Sequence, residues 1–202
     1  MVLLWRESNM AYFSTRDIAA ISICGALWGV VNTLFAPVFF RATGMPFLCD
    51  LIGFAILILG AWWIRKPGAL TSIGVIATII NLAMGTGIQF LGFLAASLFF
   101  DLVASFIGYS RSFSKPVYTA VSMLLISVAS AAVAGAIIGA IFMAGVSLLD
   151  QWGGVVGWVG LHMIGGVIGG FIGTTLVLAL KKRRINLYST SQIKRMTRMV
   201  IK

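Results

Sequence analysis

Charge is nearly missing from this chain. Of its 202 residues 10% are charged, five of them acidic, and 60% are hydrophobic, whereas a soluble domain carries roughly 25% charged residues. With a mean hydropathy of +1.04, the solvent is lipid and a water-facing globular fold is excluded. A bilayer admits only segments that pair their own backbone groups, helices or closed barrels. The in-out alternation of barrel strands is absent, so the sequence predicts an all-α integral membrane protein.

Cysteine and histidine are equally sparse, two and one. Cys24 and Cys49 are expected at different membrane depths, beyond the reach of a disulfide, and no disulfide framework is implied. His162 alone cannot supply a metal site of ordinary His/Cys spacing. No G-x-x-x-x-G-K-[ST] loop occurs, so any ATP-driven work needs another subunit. An intramembrane serine protease of the rhomboid kind pairs a glycine-flanked serine on its fourth span with a histidine on its sixth. Here the fourth span offers Ala95-Ala96-Ser97-Leu98, without the glycines that expose a nucleophile and shape an oxyanion site. Neither catalytic residues nor a cofactor is expected.

What the chain does contain is six apolar runs, approximately 18–40, 46–64, 68–84, 87–110, 117–145 and 153–180. Each reaches, or nearly reaches, the roughly 17 to 25 residues of a membrane-spanning helix. They predict a six-helix domain over 18–180, between a cytoplasmic segment 1–17 and a basic cytoplasmic tail 181–202. Ser14-Thr15-Arg16-Asp17 reads as a capping box opening the first helix.

The net charge of +10 is unevenly placed, since eight of the fifteen basic residues lie from Lys181 onward. Such a tail contacts lipid headgroups and fixes topology rather than binding nucleic acid. Counted by loop, fourteen basic residues fall on one side and Arg41 alone on the other. That is the positive-inside bias of a cell-membrane protein with both termini in the cytoplasm. Small residues recur every four positions, among them Ser22 and Ala26, Gly25 and Gly29, and Gly165, Gly169 and Gly173, which permits close helix approach.

Polar residues within the spans cost free energy in hydrocarbon and normally face a cavity or a partner helix. The set is Asn32, Asp50, Asn81, Gln89, Asp101 and His162. All except Asp101 belong to the outer half under this topology. Trp158 and His162 share one face of the sixth span, and Trp28 and Asn32 share one face of the first. An aromatic plate beside a hydrogen-bonding group suits a small planar heterocycle. The candidate binding residues are therefore Trp158, His162, Asn81, Gln89 and Asn32. The same residues also fit a packed tryptophan and a hydrogen-bonded core histidine, and Asp101 fits either a structural partner or a proton-coupling carboxylate.

One stretch resembles a known family: Trp62-Trp63-Ile64-Arg65-Lys66-Pro67-Gly68-Ala69, a helix ending Asn81-Leu82-Ala83-Met84-Gly85, then Asp101-Leu102-Val103 ahead of Tyr109 and Arg111. It is similar to the YkoE-type substrate-binding subunit, or S component, of energy-coupling-factor (ECF) vitamin transporters, over roughly residues 20 to 112. The resemblance implies a six-helix subunit that captures a vitamin or precursor, the hydroxymethylpyrimidine part of thiamine or thiamine itself. It also implies a transmembrane coupling protein and ATPase subunits as partners, met through small residues on the first span, either Ala20 with Cys24 or Ser22 with Ala26. The chain departs from the pattern at Asn81, where an acidic residue is usual, and at Ala96, where glutamine is. Riboflavin or biotin as the captured vitamin, and a stand-alone secondary transporter or channel, remain open readings.

Overall fold

The computed structural model describes residues 12–85 and 87–200, with side chains described as far as Arg183. The described residues are helical throughout, joined by short turns. The helices are α1 (Thr15–Thr43), α2 (Phe47–Ile64), α3 (Ala69–Ala83) and α4 (Leu91–Ile107), the last entered through a 3-10 turn at Ile88–Phe90. After them come the short α5 (Tyr109–Ser112), then α6 (Pro116–Ile137), α7 (Ser147–Gln151) and α8 (Gly154–Val200). Five of these segments are long and apolar enough to cross a membrane. The remaining apolar helix, α3, has fifteen residues, a length of about 22 Å at 1.5 Å per residue.

Local chemistry sets the ends. The capping box at Ser14 and Asp17 is formed, with the Ser14 amide donating to Asp17 at 2.9 Å and the Asp17 amide to the Ser14 hydroxyl at 3.2 Å. Asp17 also takes the Lys66 ammonium at 2.7 Å, which fastens the α2–α3 turn to the start of α1. That turn reverses through left-handed Arg65 and Gly68, with φ of 55° and 84°. Pro116 opens α6 at a position where its missing N–H costs nothing.

Six helices close into a ring in the order α1, α2, α8, α6, α4, α3, with α2 the most enclosed. Parallel and antiparallel neighbours can be read from pairs of contacts. A Cβ at Gly25 would strike Ile76 and one at Gly29 would strike Ile80, so α1 and α3 run parallel. Gly165 faces Asp50 and Gly173 faces Ala55, so α2 and α8 run parallel too. Thr71–Asp101 with Gly74–Ser97, and Gly135–His162 with Gly170–Leu124, make α3–α4 and α6–α8 antiparallel. Without hydrophobic drive between helices in lipid, such close backbone approach is what association depends on. The stripe Gly165, Gly169 and Gly173 faces α2, while Gly166 and Gly170 face α6.

Asp101 on α4 closes the ring at one end. It accepts from the Thr71 amide at 2.9 Å and the Thr71 hydroxyl at 3.0 Å, capping the first turn of α3, and from the Tyr109 hydroxyl at 2.5 Å. Burial and the Asp101 contact push the Tyr109 pKa up, so this phenol stays a donor at any physiological pH. Asp101 is thus a clamp joining α3, α4 and α5. Asp101→Ala is expected to leave three donors unpaired, the Thr71 amide and hydroxyl and the buried Tyr109 hydroxyl, at a cost of about 1–3 kcal/mol for the buried one, and to lower the melting temperature in detergent.

Candidate functional site

Basic side chains gather at one end of the ring. Lys66 sits on Asp17, Arg65 lies over the Phe113 ring, and Lys181 donates to the Phe113 carbonyl at 2.7 Å. At the opposite end, beside Arg41, the helices part around a cavity of about 400 Å3. That volume lies within the roughly 300–1,000 Å3 of ligand pockets.

Four of the five candidate residues line this cavity: Asn32 from α1, Gln89 from the 3-10 turn, and Trp158 and His162 from α8. The fifth, Asn81, stands behind it. Fully buried on α3, it donates to the Ala77 and Gly29 carbonyls at 2.8 and 3.3 Å. Its own oxygen accepts from Asn32 Nδ2 at 2.9 Å and from the Thr33 hydroxyl at 3.1 Å. Two backbone carbonyls therefore orient the Asn81 amide, and Asn81 orients Asn32. The Asn32 Oδ1 has no hydrogen-bond partner, and Asn32 lines the cavity.

His162 is held in the same indirect way. Its Nδ1 lies 3.0 Å from both carboxylate oxygens of Asp50 on α2. The glycines of α8 make this possible, since a Cβ at Gly165 would come within 2.6 Å of the Asp50 side chain. The other ring nitrogen, Nε2, has no partner, nor has Trp158 Nε1. Asn32, Trp158 and His162 are each no more than 2% exposed, yet each brings an unpaired polar atom to the wall of one cavity. Buried polar atoms are normally satisfied; unpaired ones also occur elsewhere in the bundle, among them Ser127, Ser130 and Thr174, and these three are set apart by belonging to residues that line one cavity.

The rest of the wall is aromatic and apolar. Phe93 lies 5.8 Å from the His162 ring, Trp158 5.5 Å from it at 71°, and Phe40 6.3 Å from Trp158 at 86°. Phe90, Cys49, and Ile138 and Phe142 of a π-turn at the end of α6 complete the enclosure, and Arg41 lies at the rim. Pi-turns widen a helix locally and recur at functional sites. Sequence reasoning placed Asp50 among the polar residues but gave it no role; the signal was that the sole histidine and one of two intramembrane carboxylates fell in the same half. Trp28, expected as a plate beside Asn32, is instead packed in the core against Phe90 and Phe93.

The small residues of α1 divide between two faces. Ala20 and Cys24 are buried inside the ring, at 1% and 3% exposure. Ser22 is exposed and Ala26 half-buried, on the outer surface beside exposed Ile23 and Leu27.

The chain is thus a multi-pass helical membrane protein with a partly open, largely apolar cavity at one end that carries a few polar side chains. No protein-family model matches it, and no curated protein sequence does. A solved structure described as the crystal structure of an S-component of an ECF transporter aligns with 92% of this chain and 97% of its own, with a TM-score of 0.62 at 18% identity. The fold of this chain is that of an ECF-transporter S-component.

Proposed function

We propose that the chain is the substrate-capture component of an ECF-type importer, related to the YkoE type, and that the cavity beside Arg41 holds its ligand. In this reading α3 also crosses the membrane, giving six spans with both termini in the cytoplasm and the cavity open to the outside. The parallel pairs α1–α3 and α2–α8 support it, as does the gathering of Arg65, Lys66 and Lys181 at one end. Cysteines placed at Thr43 and Gln151 should label with an impermeant reagent from outside, and cysteines at Lys115 and Arg183 should not. External labelling at 115 overturns the topology.

The observation that carries the functional reading is the convergence of Asn32 Oδ1, Trp158 Nε1 and His162 Nε2, all unpaired, on one aromatic cavity. A small planar heterocycle uses the rings for its faces and the three polar atoms for its edge. Among thiamine-related ligands the neutral hydroxymethylpyrimidine fits better than cationic thiamine. Arg41 is among the lining residues, and the Asp50 carboxylate behind His162 is already engaged by it. Arg41 also favours a second reading, biotin, whose carboxylate it would pair while the ureido edge met the polar atoms. A transmembrane coupling protein and ATPase subunits supply the energy, and the exposed face of α1 at Ser22 and Ala26 receives the coupling protein.

The test is calorimetric titration of the purified subunit with hydroxymethylpyrimidine, thiamine, riboflavin and biotin. Hydroxymethylpyrimidine is expected to bind tightest, with affinity lowered in Asn32→Ala and His162→Ala. Wild-type affinity in both variants places the ligand elsewhere. Uptake into vesicles containing this chain alone, without ATPases, would overturn the importer reading.

A further inference from the structure

The reading of the cavity as a ligand site leaves open which hydrogen-bonding edge it selects, and Asp50 decides that. Asp50 and His162 are 0% and 1% exposed. Beyond the imidazole, no hydrogen bond reaches the Asp50 carboxylate among the described residues, and Oδ2 is without one. The charged or titratable groups lining the cavity, apart from His162, are Arg41 of α1 and Cys49 of α2; α4 and α6 contribute none. Arg41 is exposed and forms no ion pair with Asp50.

A net charge buried in such surroundings costs several kcal/mol, so the pair settles with zero net charge. That can be met in two ways. Either the carboxylate is ionised beside an imidazolium, or a carboxylic acid donates to Nδ1 of a neutral ring. In both, Nε2 carries a hydrogen. Only loss of the shared proton, leaving a bare carboxylate that accepts from Nδ1–H, turns Nε2 into an acceptor.

We infer that Asp50 is a positioning residue that holds His162 Nε2–H as a hydrogen-bond donor toward the cavity. The site then presents two donors, His162 Nε2–H and Trp158 Nε1–H, and one acceptor, Asn32 Oδ1. The ligand class that answers them is a planar heterocycle with an amide-like or amidine-like edge, carrying carbonyl oxygens or bare ring nitrogens beside an N–H or amino group. A heterocycle offering donors alone is rejected, because two buried donors would face two more.

The chain has a single histidine, so nitrogen NMR of tag-free protein labelled with 15N-histidine reads this ring without assignment. The expected ligand-free spectrum at neutral pH shows a proton directly bonded to Nε2. A spectrum with Nε2 bare and the proton on Nδ1 overturns the inference, whether or not any vitamin binds. Asp50→Leu should release the ring to exchange between its two tautomers, and an unchanged signature in that variant would assign Asp50 to packing alone. At neutral pH, saturating hydroxymethylpyrimidine should shift the Nε2–H resonance while the proton stays on Nε2. A resonance that does not move on binding overturns the donor role, while absence of binding rejects that ligand and leaves the donor assignment to the ligand-free spectrum.

Discussion

In the proposed importer, Ser22→Leu and Ala26→Leu are each expected to abolish ligand uptake while leaving ligand binding by the isolated subunit near wild type. Ser22 is exposed and Ala26 half-buried on the outer surface of α1, and neither lines the cavity. A leucine at Ser22 meets mainly lipid in the isolated subunit. Against a partner helix it holds two backbones apart that small residues would let approach, and in lipid that contact is the main source of association. Ala20→Leu and Cys24→Leu serve as the contrast, because both positions are buried in the ring. They should lower the melting temperature and reduce binding and uptake together. Equal loss of binding and uptake in the Ser22 and Ala26 variants would assign that face to the fold and not to a partner.

Trp158→Ala is expected to weaken binding by about 1–3 kcal/mol, the scale of a ring stacked on an aromatic side chain, or roughly 5- to 150-fold. The same substitution empties space between Phe40, Gly139 and His162, so part of any loss could come from disorder in the wall. Trp158→Phe separates the two. It keeps a ring and removes the indole N–H, and should retain stability while losing the contribution of one hydrogen bond, about 0.5–1.5 kcal/mol. Full affinity in both variants, measured by the same titration, removes Trp158 from the site.

Hydrophobic runs bounded by basic loops were legible in the sequence because lipid permits little else, and Phe47–Ile64 matches its expected run within a residue. The convergence of Asn32, Gln89, Trp158 and His162 was legible for a related reason: a polar group in hydrocarbon needs a purpose, and these shared a depth. Asp50 as the partner of His162 was not, since the two are 112 residues apart and only the α2–α8 contact joins them. Nor were the aromatic walls. Phe90 and Phe93 look in sequence like Phe106 and Phe171, which are 89% and 68% exposed on the lipid side, and composition does not tell an inward ring from an outward one. Asn81 shares the depth of the site but points its amide at backbone, a distinction that depends on helix rotation. Asp101 resolves into a helix cap because the turn after α2 delivers Thr71 to it.

The connector between α6 and α8 differs from the rest of the cavity wall. Met143, Val146 and Leu148 cover the cavity from this segment, whose backbone hydrogen bonds outside helices run between residues three to five apart, from Met143–Ile138 to Gly153–Asp150. It is moored by two apolar pegs, Leu149 against Gly139 and Trp152 against Gly44. The opposite wall, where α8 lies on α2 through Gly165 and Gly169, has backbone within van der Waals contact and no slack. Moving the connector would uncover Leu149 and Trp152 together with the cavity-lining Met143, Val146 and Leu148, whereas parting α2 from α8 would also break the Asp50–His162 pair. The cavity therefore has one wall held by close backbone packing and one held by side chains alone.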